Sequence, residues 1–159
     1  DKVTGSILGL DERQHAEGER VAKTMILSLF TDQGEMRAIP LFDLLNADRP
    51  VAECLVAVLE AAARRYAADP DAAGCLVIEG VRCTDREARE AAGTFLAAAE
   101  EAIHRFVAAR HPEQAERVTD YMSTVMAGLS ASARNGHDLD RLLAAARLAG
   151  AGLEQVVRG

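Results

Sequence analysis

Tryptophan is absent from this chain of 159 residues, and its only aromatic residues are Phe30, Phe42, Tyr66, Phe95, Phe106 and Tyr121. β-branched residues are also few outside short runs. Sheets depend on both kinds of side chain, whereas alanine and leucine dominate here, so the composition points to an all-α fold. An excess of positive charge is missing too. The net charge is −7, with the basic residues scattered among acids, which argues against this chain gripping nucleic acid by itself. No apolar run approaches the roughly 20 residues that span a bilayer, and no signal peptide is visible. Cys54, Cys75 and Cys83 are odd in number and lack CxxC spacing, so a reduced, cytoplasmic protein with buried or idle thiols is expected. No nucleophile elbow and no Gly-rich phosphate loop accompany the Ser, His and Asp residues. At this length one domain, residues 1–159, is expected.

The most regular pattern lies in residues 112–157. Val118, Met122, Val125, Met126 and Leu129 form one stripe of a 3.6-period helix. Asn135 and Gly136 offer left-handed residues to end it, and Asp138 and Asp140 favour the positive end of a new helix. That second helix carries Leu139, Leu142, Leu143, Ala146, Ala149, Gly150 and Leu153. Its other positions include the small Ala144, Ala145, Ala151 and Gly152. Small residues on several faces admit another backbone closely and leave more apolar surface than one neighbour covers. The pair therefore reads as a subunit interface, the alternative being a core hairpin of a monomer.

Upstream, Val21, Met25, Leu29 and Phe30 predict a helix over 16–32. Pro40 opens a short helical segment that stops near Asn46. Asp48 and Pro50 mark the start of a helix over 51–68, with Val51, Leu55, Val58, Leu59 and Ala62 on its apolar face. Residues 74–80 are ambiguous between a buried strand and a short buried helix. A lone strand has no pairing partner elsewhere in the chain, so the helix is preferred. Thr84 and Glu87 have capping-box spacing at the head of a long helix running to about Arg110, with Ala88, Ala92, Phe95, Leu96, Ala99, Ile103 and Phe106 inward.

Taken in order, these residues resemble a known family. A helix ends in Tyr66-Ala-Ala-Asp-Pro70, the segment Gly74-Cys75-Leu76-Val77 follows, and a long helix opens with Thr84-Asp85-x-Glu87. The next helix ends Gly128-Leu129-Ser130-x-x-Ala133-Arg134-Asn135-Gly136, and a last one begins Asp140-Arg141-Leu142-Leu143. The order and distances are similar to those of the C-terminal domain of TetR-family transcriptional repressors, most closely over 51–153. The resemblance implies about six or seven helices and a homodimer in which the last two helices of each copy form a four-helix bundle. It also implies a small effector bound among the earlier helices, which shifts the separation of two N-terminal DNA-reading heads. Residues 1–49 do not supply the basic helix-turn-helix unit such a head needs, so the expectation is that the head was trimmed or left out and that DNA is met only through it, the alternative being a headless relative.

Under that reading the dimer interface would use Met126, Leu129, Leu139, Leu142, Leu143, Ala146, Ala149, Gly150 and Leu153. The effector pocket would draw on Met25, Leu29, Phe30, Phe42, Leu55, Leu59, Phe95, Met122 and Met126. Flexible Met and broad Phe suit a small apolar ligand of variable shape. No cofactor, membrane or catalytic residue is expected. The competing pattern is a pair of Glu-x-x-His steps, Glu12 to His15 and Glu101 to His104, as used by di-iron helical bundles with two further Glu ligands. Glu53 and Glu60 are candidates for those. The order is wrong for that architecture, because only eleven residues precede Glu12. A helical enzyme and a purely structural dimerisation module remain the alternatives.

Overall fold

The structure, a computed structural model, describes residues 40–157, apart from the side chains of Pro40 and Phe42. Five α-helices account for most of them: α1 (Val51–Tyr66), α2 (Leu76–Gly80), α3 (Arg86–Ala108), α4 (Ala115–Arg134) and α5 (Leu139–Val156). Among the described residues there is no strand. Short 3-10 turns at Pro40–Leu44, Pro70–Ala72 and Pro112–Gln114 fill the gaps, each opened by a proline whose fixed φ suits a first turn. The helix expected over 16–32 lies outside the described residues.

The chain separates into two compact units. One contains Leu76–Leu96, and the other contains Ala38–Cys75 and Ala97–Gly159. In the first, Ala88 and Ala92 are buried, with Leu76, Val81, Cys83 and Ala91 packed around them. The short helix over 74–80 forms in part, as Leu76–Gly80, with Ile78 and Gly80 buried. The cap of α3 sits one residue beyond the expected Thr84. The Asp85 carboxylate accepts the N–H of Ala88 at 2.9 Å, satisfying one of the donors a helix start leaves open.

In the second unit α1 packs chiefly on α5 and also on α4. Val51, Leu55, Val58, Leu59, Ala62 and Tyr66 are buried along α1, at the spacing of one helical stripe. Each large side chain so buried contributes about 1.5–3 kcal/mol. The helix stops two residues before the expected end. Asp69 is extended, as a residue before proline prefers, and its carboxylate accepts the N–H of Asp71 at 3.0 Å.

The turn between α4 and α5 is a local code read out in full. Gly136 has φ +83°, whereas Asn135 stays at −79°. The N–H of His137 bonds Ser132 O at 3.1 Å, and that of Gly136 bonds Ala133 O at 3.0 Å. This double bond pattern is the Schellman ending. Asp138 then caps α5, its carboxylate accepting the Arg141 N–H at 2.9 Å.

Candidate functional site

α5 presents two faces of different character. Leu142, Leu143, Ala146, Ala149, Gly150 and Leu153 are buried within the chain. The reason is close approach to α1: a Cβ built on Gly150 would lie 2.6 Å from Val56 Cγ2. Ion pairing holds the same contact at its edge, where Glu60 accepts from Arg147 Nε at 2.9 Å and also meets Arg64 at 3.3 Å. The opposite face is exposed and carries Ala144, Ala145, Leu148, Ala151, Gly152 and Val156. Leu148 is 78% exposed, an unusual state for a leucine on an otherwise ordered helix.

Beside that face, α4 and α5 form a half-open groove of about 200 Å³ lined by Arg117, Val118, Tyr121, Gly152, Leu153 and Val156. The groove is largely apolar. Tyr121 frames it by donating its hydroxyl to Ala149 O at 3.3 Å, and its ring is 39% exposed. Exposed apolar groups that adjoin one another mark interaction surfaces more often than scattered ones do.

A second cluster gathers where the loop after α1 folds back on α4. Gly74, at φ +93°, donates its N–H to Tyr66 O at 2.9 Å. Its missing side chain leaves room for Arg134 and Ser130, whose Cγ and Oγ would lie 2.9 and 3.0 Å from a Cβ there. The next N–H, of Cys75, donates to the fully buried Ser130 Oγ at 2.8 Å. Tyr66 is buried to 2% exposure and its hydroxyl has no hydrogen-bond partner. Burial, with the Cys75 thiol beside it, pushes that hydroxyl far above its ordinary pKa of 10.0.

The chain is 51% identical over 120 residues to the HTH-type transcriptional repressor BdcR of Escherichia coli (strain K12), covering 76% of this chain and 61% of that repressor. The likeness supports a transcriptional repressor of the helix-turn-helix type. The chain thus spans about three fifths of the length of the relative it matches. No family model matches it, and no solved structure does.

The residues expected to meet an effector are placed as follows. Met25, Leu29 and Phe30 and the Phe42 side chain lie outside the described residues. Leu55, Leu59, Phe95 and Met122 are fully buried, and Met126 is half-buried. Of those, Leu55 and Leu59 sit on α1 and Met122 and Met126 on α4, two helices that pack together. Of the residues expected at a subunit interface, Leu139 is exposed and Met126 half-buried. Leu129, Leu142, Leu143, Ala146, Ala149, Gly150 and Leu153 are covered by their own chain.

Among the described residues the metal candidates do not assemble. Glu12 and His15 lie outside the described residues. Glu101 pairs with Arg105 at 3.2 Å and Glu53 with Arg49 at 3.4 Å, while Glu60 is shared between two arginines. His104 is exposed. Among the described residues no three ligand-type side chains come together.

Two features escaped sequence reasoning. The exposure of Leu148 has no signal in the sequence, because alanine and glycine surround it along the helix, at Ala144, Ala145, Ala151 and Gly152. Tyr66 was read only as a helix end, although a lone tyrosine in an alanine-rich stretch must bury its hydroxyl or show its ring.

Proposed function

We propose that this chain is the effector-sensing and dimerising part of a TetR-type repressor, whose DNA contacts are made in the cytoplasm by a separate N-terminal helix-turn-helix. The observation that carries the proposal is the 51% identity to a repressor of that kind. The chain's own charge of −7 fits a part that does not itself hold phosphates. In this reading the homodimer forms on the outer face of α4 and α5. Ala144, Ala145, Leu148, Gly152 and Tyr121 meet their counterparts in a second copy, with Met126 and Leu139 beside them. The small residues let backbones approach, and Leu148 is the knob that a groove of about 200 Å³ can take. The residues of α5 that face α1 hold each protomer together instead.

The effector is a small apolar molecule held between α1 and α4, where Leu55, Leu59, Met122 and Met126 provide the lining. It acts by population shift: a ligand moves the repressor between arrangements only by as much as it prefers one of them.

Native mass spectrometry of the purified chain tests the proposal. A dimer that carries a small organic adduct from the cell, and that becomes a folded monomer with Leu148→Glu, is the expected result. A monomer at micromolar concentration, or a dimer indifferent to Leu148→Glu, overturns the interface.

A further inference from the structure

Among the described residues two buried side-chain polar atoms lack a hydrogen-bond partner, Tyr66 Oη and His111 Nε2. His111 is a half-buried residue in the turn after α3. Tyr66 is sealed more completely, the whole residue being 2% exposed. A stranded buried hydroxyl costs stability, and native structures carry one where it has a further role or an absent partner. Phenylalanine would fill the same space without that cost, so packing does not account for the oxygen.

The position of Tyr66 points to the missing partner. Val56 abuts Gly150 and Glu60 pairs with Arg147, so α1 runs antiparallel to α5 and therefore parallel to α4. Tyr66 follows Leu55, Leu59 and Ala62 on one face of α1. It ends that stripe level with Ser130 and Arg134 of α4, on which Gly74 packs while its N–H bonds Tyr66 O at 2.9 Å. Met126 lies one turn before Ser130, and Met122 two turns. The seam between α1 and α4 thus has leucine and methionine along it and one unused donor at its end. Small-molecule sites have that make-up, apolar walls with few polar groups. Methionine adapts its shape readily, and Met126 is only half-buried, so the two methionines are the side chains that make room.

We propose, on the reading of the α1–α4 seam as the effector site, that the effector carries a neutral carbonyl oxygen and that the Tyr66 hydroxyl is the donor that binds it. Tyrosine's ordinary pKa of about 10 keeps the proton in place for this task. A carboxylate would have to shed its water among Leu55, Leu59, Met122 and Met126, none of which carries a compensating charge. An alcohol would bring a donor of its own that those side chains cannot bond. A ketone, aldehyde or ester accepts one hydrogen bond and brings no donor to satisfy.

The test titrates the purified chain by calorimetry with three probes of nearly the same shape, acetophenone, its alcohol methylphenylcarbinol, and ethylbenzene. Tyr66→Phe is expected to weaken acetophenone roughly fivefold, the loss of one net hydrogen bond, and to leave ethylbenzene unchanged. In the natural chain the ketone is expected to bind more tightly than the alcohol. The infrared carbonyl band of bound acetophenone should lie at lower frequency in the natural chain than in Tyr66→Phe, a signature that altered packing alone does not produce. Probes that bind but respond alike to Tyr66→Phe overturn the proposal and leave the seam as the effector site. Failure of all three to bind at millimolar concentration overturns the reading of the seam itself. Should Tyr66→Phe fail to fold, the carbonyl band in the natural chain decides: a band at the position found in hexane overturns the proposal, and a lowered one supports it.

Discussion

Val56 of α1 occupies the space in which a side chain at Gly150 of α5 would begin. The 2.6 Å separation between Val56 Cγ2 and a Cβ at position 150 is below any real carbon contact. Gly150→Ala therefore forces Val56 or the helix axis to shift, which costs about 1–3 kcal/mol by overpacking. The gain in helix propensity, roughly 0.5–1 kcal/mol, offsets only part of it. Urea titration should show a lower midpoint for Gly150→Ala, largely restored when Val56→Ala is added. Simple additivity of the two changes would mean that they are not in contact.

Leu148 and Leu142 lie on the same helix with opposite surroundings, one 78% exposed and the other 1%. Leu148→Glu should leave the helical circular dichroism intact and raise the dissociation constant of the proposed dimer. Leu142→Asp places a charge among apolar neighbours and should lose about 3–5 kcal/mol of stability, enough to unfold many domains of this size. Light scattering beside thermal melting separates the two outcomes.

The Tyr66 hydroxyl makes no hydrogen bond, so Tyr66→Phe should be neutral at pH 7 or stabilising by about 1 kcal/mol. The pH dependence has a definite sign. Burial raises the folded pKa above the ordinary 10.0, so below pH 10 both states keep the proton and nothing changes. Above it the unfolded chain releases the proton and the native state does not. Stability then falls by about 1.4 kcal/mol per pH unit from this group. Chemical denaturation between pH 8 and about 11 should show a steeper alkaline loss in the natural chain than in Tyr66→Phe.

Ser130 accepts the Cys75 N–H at 2.8 Å from a fully buried position. Ser130→Ala strands that donor and should cost about 1–3 kcal/mol. Gly74→Ala, one residue earlier, combines a left-handed φ with contacts near 3 Å, and should lose a comparable amount. Hydrogen exchange at the Cys75 amide is the direct check on the first. It should accelerate in Ser130→Ala without a matching change in the middle of α1.

How much of this was legible before the structure depended on range. The Gly136 turn and the Asp138 cap are encoded within a few residues, and both were readable in order. The cap of α3 was displaced from Thr84 to Asp85, because either residue can serve and only the backbone geometry chooses. The stripe on α1 was plain, since its outer face is charged at Glu53, Arg64 and Arg65. The facing of α5 was not. From Leu142 to Leu153 every position but Arg147 is leucine, alanine or glycine, so periodicity identifies a helix without saying which side meets α1 and which meets solvent. The docking of the loop after α1 on α4 was invisible for another reason: it exists only because Gly74 turns the loop back and Ser130, far along the chain, fastens it.

The outer side of α5 has one more consequence. Alanine and glycine have no side-chain rotamers to lose, whereas a lysine or glutamate in the same place loses up to about 2 kcal/mol of freedom when it is immobilised. Between Ala144 and Gly152 almost the whole exposed strip is already as ordered as it can become, with Leu148 and Arg147 the only long side chains. A helix laid along it would surrender little disorder beyond that of docking itself. Such a surface needs few strong contacts to hold a partner and releases it without a large reordering of side chains.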